Sequence, residues 1–197
     1  ASSAADALVG GSATTPVACA YDSTTKTHFC PVTTIATGTA KFKVIDASTV
    51  ALATATSNEV TVTVSAGTPG SVTLSFDKST YAPFEKAKIT VTVLDTAAKG
   101  LPAQTIANVF AAGGITSTVG FSANSDTLTA TSVVLADANS ATTGAVAGSQ
   151  VYYVYMPAGS GDVTISATGS TGLALAGRVA VSATASVVNS SVDAATD

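Results

Sequence analysis

The chain has 197 residues, a formal net charge of −4 and 46% hydrophobic residues. Lys, Arg, Asp and Glu make up only 10% of it, against about 25% in ordinary soluble domains. The basic residues are seven Lys and Arg178, with no long basic run, which argues against a nucleic-acid partner because phosphate neutralisation dominates that affinity. Much of the hydrophobic fraction is Ala, and no run approaches the ~20 apolar residues of a membrane-spanning helix. Disorder is disfavoured too, since β-branched runs supply material for a core. With charge so scarce, the polar surface must come from Ser, Thr, Asn and Gly, a composition that suits an exported structural protein better than a cytosolic enzyme.

The N-terminal Ala1-Ser-Ser-Ala-Ala-Asp6 has neither a basic region nor an apolar one, so no signal peptide is read there; an exported chain would have these residues follow a removed or unseen segment. Cys19 and Cys30 close a polar, turn-like stretch of 12 residues and are the chain's two cysteines. They read as a disulfide at the base of a hairpin, worth roughly 3 kcal/mol in the chain-entropy model, and a disulfide points outside the reducing cytoplasm. The alternative is a metal site using both Cys and His28, which supplies three ligands at a spacing unlike zinc motifs. His28 as a catalytic base would need a nucleophile and an orienting carboxylate, and nothing in the sequence sets these out; a solvated loop histidine is the expectation.

Period-2 alternation then predicts strands. Thr39–Asp46 places Phe42 and Val44 on one face, Thr49–Ala53 is a further short strand, and Asn58–Val64 is the clearest of this first third. Four or five strands are too few for a sandwich of about seven, so residues 1–65 look like the later part of a domain whose beginning is absent. Ala66-Gly-Thr-Pro-Gly70 is a breaker cluster and the expected linker.

A fuller set of strands follows over 71–188. Ser71–Phe76 leads into a bend at Asp77–Pro83, since Pro does not donate to a central ladder. Ala87–Leu94 is a core strand with Ile89, Val91 and Val93 inward. Thr105–Phe110, Ile115–Phe121 and Thr127–Leu135 are expected strands. Val151–Met156 is the most aromatic, and Val163–Ala167 is expected to pair with it as a hairpin. Gly177–Ser186 is the last. In the tail, 189–197, Ser191 fits a helix N-cap with Asp193 in the first turn, so this stretch is either disordered or the start of a helix.

Several residues invite a functional role beside a simpler one. Asp77, Asp95, Asp126, Asp137 and Asp162 fall at strand ends, and Asp95, Asp137 and Asp162 are the candidates for calcium at domain joints; Asp also favours turns for local reasons, which is the expected role. Tyr153 and Tyr155 share one strand face, opposite Tyr152, Val154 and Met156; one face should be buried while the other supplies an interface or glycan platform. Lys78, Lys86 and Lys88 bracket one bend, either to contact anionic cell-wall polymer or to keep an edge charged against aggregation. Asn189-Ser-Ser191 fits the glycosylation sequon.

The second unit resembles bacterial Ig-like repeats of the invasin and surface-layer kind. The resemblance rests on Ile89-Thr-Val-Thr-Val-Leu-Asp95 followed by Gly100-Leu-Pro102, and on Val154-Tyr-Met-Pro-Ala-Gly159 with Gly161-Asp-Val-Thr-Ile-Ser-Ala-Thr168. Ser57–Val64 is similar to the final strand of such a repeat. The resemblance implies an all-β chain of tandem Ig-like sandwiches, the first partial (1–65) and the second complete (71–188), with no catalytic residues. It implies a structural protein of the prokaryotic cell surface that assembles with copies of itself into a layer or filament. The alternatives are an adhesin or phage decoration module with a glycan or protein ligand, and a non-catalytic domain of an exported hydrolase.

Overall fold

The computed structural model describes residues 16–136 and 148–189. The chain is all-β: among the described residues there is no α-helix, and two short 3-10 turns interrupt the strands. It divides into two compact units between Ala66 and Gly67, inside the breaker cluster. Residues of the tail beyond Asn189, including Ser191 and Asp193, lie outside the described residues, as does Asp137.

The first unit has two small antiparallel sheets. β1 (Ala20–Asp22) and β2 (Thr27–Phe29) form a hairpin, and a Cys19–Cys30 disulfide closes its base. At its tip the Asp22 carboxylate accepts the Thr24 amide at 2.8 Å, an Asx-type turn. β3 (Gly38–Phe42) pairs with β4 (Val60–Val64). The strand expected over Thr39–Asp46 ends at Phe42, and Val44 is exposed rather than packed beside it. The strand expected at Thr49–Ala53 is a 3-10 turn, Val50–Leu52. The reason is local. The Asp46 carboxylate accepts both the amide and the hydroxyl of Thr54, and Ile45 bridges Thr56. The ends of the segment are thereby held together, and what lies between must turn.

The second unit is sandwich-like. One sheet runs in the order β11 (Ser149–Tyr155), β7 (Lys86–Asp95), β5 (Pro69–Phe76). The other runs β6 (Thr80–Tyr81), β13 (Ala180–Val187), β12 (Gly161–Thr168), β9 (Thr116–Ser117), with β6 parallel to β13. β8 (Thr105–Ile106) and β10 (Val133–Val134) make a small third pair. β7 shows the alternation at its clearest: Ala87, Ile89, Val91, Val93 and Asp95 are buried while the residues between them are not. Ile89 lies opposite Phe76 on one neighbour and Tyr152 on the other. From the facing sheet Val163, Ile165, Ala185 and Val187 join the same core.

Three expectations for this unit need correction. Val163–Ala167 does not pair with Val151–Met156. β11 pairs with β7, while β12 pairs with β13 and β9. Pro157 to Gly161, where Gly161 takes a φ of +137°, carries the chain from one sheet to the other, so Val154 and Val163 serve one core from opposite layers. The strands expected between Thr105 and Leu135 shrink to pairs of residues. Val109, Phe110, Ile115 and Leu135 are buried as that pattern implies. Left-handed backbone at Asn108, Gly113 and Gly114 breaks the ladder between them. The last strand begins at Ala180, because Leu175–Gly177 forms a 3-10 turn.

Candidate functional site

A broad apolar cleft lies within the first unit. The β3–β4 register sets Ala40 opposite Val62 and Phe42 opposite Val60, and directly opposed residues share a face. One face therefore carries Ala40, Phe42, Val60, Val62 and Val64. The other carries Thr39, Lys41, Thr61 and Thr63, with Thr39 and Thr63 hydroxyls 3.2 Å apart and Lys41 2.7 Å from Glu59. Two strands do not suffice to bury such an apolar face. Ala40 is covered, but Val60 is 54% exposed and Val62 39%. Beside this face lies a cleft of about 1110 Å³ whose walls include Val17, Cys30, Val32, Val44, Val60 and Val62. The alternation of Val60–Val64 was legible; that no further strand covers it among the described residues follows only from counting the strands of the unit.

The Cys hairpin borders this cleft through Cys19, His28 and Cys30. The His28 ring meets Tyr21, with centroids 5.1 Å apart. Among the described residues no group of three His, Cys, Asp or Glu gathers in the geometry of a metal site. The described strand-end aspartates each engage nearby groups. Asp95 accepts the amides of Ala97 and Lys99, both at 2.8 Å. Asp126 accepts the Tyr153 amide at 2.7 Å, and Asp162 accepts the Ser186 hydroxyl. Asp77 accepts the Tyr81 hydroxyl at 2.7 Å and the Lys88 amide at 2.8 Å. Burial works to raise the Asp77 pKa, but these hydrogen bonds outweigh it and hold the carboxyl below its ordinary value.

The aromatic strand is divided as its alternation implies. Tyr152, Val154 and Met156 are buried, and Tyr153 and Tyr155 are half-buried on the outer face. Across the ladder Tyr153 opposes Lys88 and Tyr155 opposes Lys86. The Lys86 ammonium sits 4.1 Å from the Tyr153 ring centroid, a cation–π contact. Lys78 pairs with Glu85. Asn189 is exposed, while the rest of its sequon lies outside the described residues.

No family model matches the chain. No curated protein matches it either. Among solved structures it is similar to two structures of a glycosyl hydrolase family 2 member from Bacteroides cellulosilyticus, at 14% and 13% identity with TM-scores of 0.45 and 0.44, covering 85% of this chain each time. The chain spans about one fifth of the length of those hydrolase chains, 20% in both cases. It is also similar to domains 4 and 5 of the S-layer protein SbsC, at 20% identity and a TM-score of 0.29, covering 81% of this chain and 62% of that one. Among the described residues no helix is long and apolar enough to cross a membrane.

Proposed function

We propose that this chain is a non-enzymatic structural module of a prokaryotic cell surface, built from Ig-like units that assemble with copies of themselves into a layer or filament. The observation that carries the reading is the uncovered apolar face of β3–β4 and its cleft, with Val44, Val60 and Val62 exposed together. Apolar surface grouped in this way marks a contact site in a soluble protein. The scarcity of charge supports the same reading, since neighbouring copies repel little. The Cys19–Cys30 disulfide fits an extracellular location. Electron microscopy of native material across a salt series tests it. Ordered sheets or filaments that persist from low to high salt are expected, because screening acts mainly on exposed charges. Monodisperse particles under all conditions would overturn the reading.

A second reading, an adhesin module for a glycan or cell-wall polymer, is favoured by the outer face of Tyr153, Tyr155, Lys86 and Lys88. Aromatic rings offer stacking surface and the ammonium groups suit an anionic polymer. Retardation of the chain in gels containing a soluble polyuronate, reduced in Y153A, would support it; equal mobility with and without polymer would remove it.

A further inference from the structure

The assembly reading leaves open which surface makes the contact, and three observations converge on β4. The first is its edge. Among the described residues β4 pairs with β3 alone, and Val60 to Thr63 are all exposed. The second is its chemistry. Val60-Thr-Val-Thr-Val64 has no charge, no Pro and no Gly, and its register with β3 runs without a bulge. Charge, proline and bulges are the usual means by which edge strands avoid pairing. The outer edge of β11, by contrast, is covered, because Ser122 and Asp126 donate backbone bonds to the Tyr155 and Tyr153 carbonyls.

The third observation is symmetry. Val60–Val64 reads the same in both directions. Turned about a two-fold axis perpendicular to the sheet and midway between the strands, level with Val62, a second β4 runs antiparallel to the first. Val62 then meets Val62 of the second copy, Val60 meets Val64, and Thr61 meets Thr63. All six valines fall on one side, the side of the cleft, because opposed residues share a face. Slipping the register by one residue would set Val against Thr and turn the second copy's valines to the other face. A two-fold contact of this kind uses one patch on both subunits.

Resting on the assembly reading, we propose that β4 is the self-association edge: two copies join their β4 strands antiparallel about Val62, making a four-stranded sheet β3–β4–β4–β3 with a continuous apolar face. A two-stranded sheet becomes one wide enough to support a hydrophobic layer. Five residues of edge are a small contact beside the roughly 1,000 Å² of a stable isolated interface. The contact is therefore weak alone and gains strength where many copies are held together.

The test uses the full chain with V62K, V62C and T73K. Thr73 is an exposed position on β5, so T73K adds the same charge away from β4. Sedimentation velocity over a concentration series should show the parent chain associating, V62K at least about tenfold weaker because two ammonium groups face each other, and T73K unchanged. V62C treated with a short bis-maleimide should give dimers linked position 62 to position 62 by peptide mapping. Thermal melts that coincide for the parent and V62K would show that the charge does not act by unfolding. Association that is indifferent to V62K and yields no 62–62 link would overturn the proposal while leaving self-assembly standing. A V62C thiol that resists alkylation in the monomer would also overturn it, by showing that the edge is covered within the chain. A parent chain that is monomeric at every concentration would overturn the assembly reading itself.

Discussion

Tyr81 donates its phenolic hydrogen bond to Asp77 at 2.7 Å, and the two residues pin the bend between β5 and β7. The same phenolic oxygen accepts the Lys78 amide at 3.0 Å, and Asp77 accepts the Lys88 amide. The Tyr81 ring, 2% exposed, sits in the core and meets Phe76 edge-on at 6.1 Å. Burial, and then the Asp77 carboxylate, push the Tyr81 pKa upward, so its proton stays in place to be donated. One side chain thus joins the hydrophobic core to a polar turn that the Lys78–Glu85 pair and the Lys88 amide also hold.

Tyr81→Phe keeps the ring and removes the hydroxyl. At neutral pH it should cost about 1 kcal/mol, the modest figure for a hydrogen bond whose carboxylate partner is largely solvent-accessible. The cost should depend on pH. The folded Asp77 pKa is lowered beneath an unfolded value of about 3.9. Its stabilisation is complete above that pH and is lost as pH falls through the folded-state value. Urea unfolding at pH 7 and at pH 2.5 should therefore show a difference between Y81F and the parent that narrows in acid. A difference independent of pH would assign the effect to packing of the ring instead.

Ile89 and Thr90 are neighbours on β7 with opposite fates: Ile89 is 0% exposed, whereas Thr90 points to the outer face. Ile89→Ala should cost about 2–5 kcal/mol, the range for truncating a buried aliphatic side chain. Thr90→Ala, flanked by Ser75 and Val151, should cost far less. Equal losses in denaturant unfolding would contradict the face assignment.

β7 also shows why parts of this fold are legible and others are not. In Ile89–Val93 local propensity and burial agree at every residue, so alternation alone yields the strand and its inward face. Val60–Val64 is equally alternating, yet its apolar side is exposed; the pattern records which residues share a face and not whether anything covers it. Phe110 and Ile115 mark core positions correctly but not strands: of their two segments only Thr105–Ile106 and Thr116–Ser117 form strands, and left-handed backbone at Asn108 interrupts the first segment. The pairing of β11 with β7 rather than β12 is a choice between two layers of one core. Alternation is the same for either arrangement, since Val154 and Val163 face inward in both.

Tyr152 lies on the buried face of β11, 6% exposed, and its hydroxyl has no hydrogen-bond partner. A hydroxyl placed among apolar side chains without a partner costs about 1–3 kcal/mol of desolvation. Tyr152→Phe removes that oxygen and leaves the ring. The variant should be as stable as the parent or more so, by up to about 1 kcal/mol, in thermal and urea unfolding. A loss of stability would reveal a partner for the hydroxyl in solution.

The covered edge of β11 gives the last prediction. Asp126 accepts the Tyr153 amide at 2.7 Å and Ser125 accepts the Tyr155 amide at 2.8 Å. In the other direction the amides of Asp126 and Ser122 reach the Tyr153 and Tyr155 carbonyls, each at 2.8 Å. The segment thus satisfies both donors and acceptors of the strand, with side chains standing in for half of a missing ladder. An edge covered in this way is closed to pairing with other chains. Replacing both Ser125 and Asp126 with Ala removes the two side-chain acceptors but leaves the backbone bonds. Amide exchange at Tyr153 and Tyr155 should accelerate severalfold relative to Val151, and the variant should gain a tendency to associate at high concentration that the parent lacks at this edge. In a V62K background, which charges the β4 edge, that added association should persist, because it arises in the other unit. Unchanged exchange at Tyr153 and Tyr155 would show that the backbone bonds close the edge unaided.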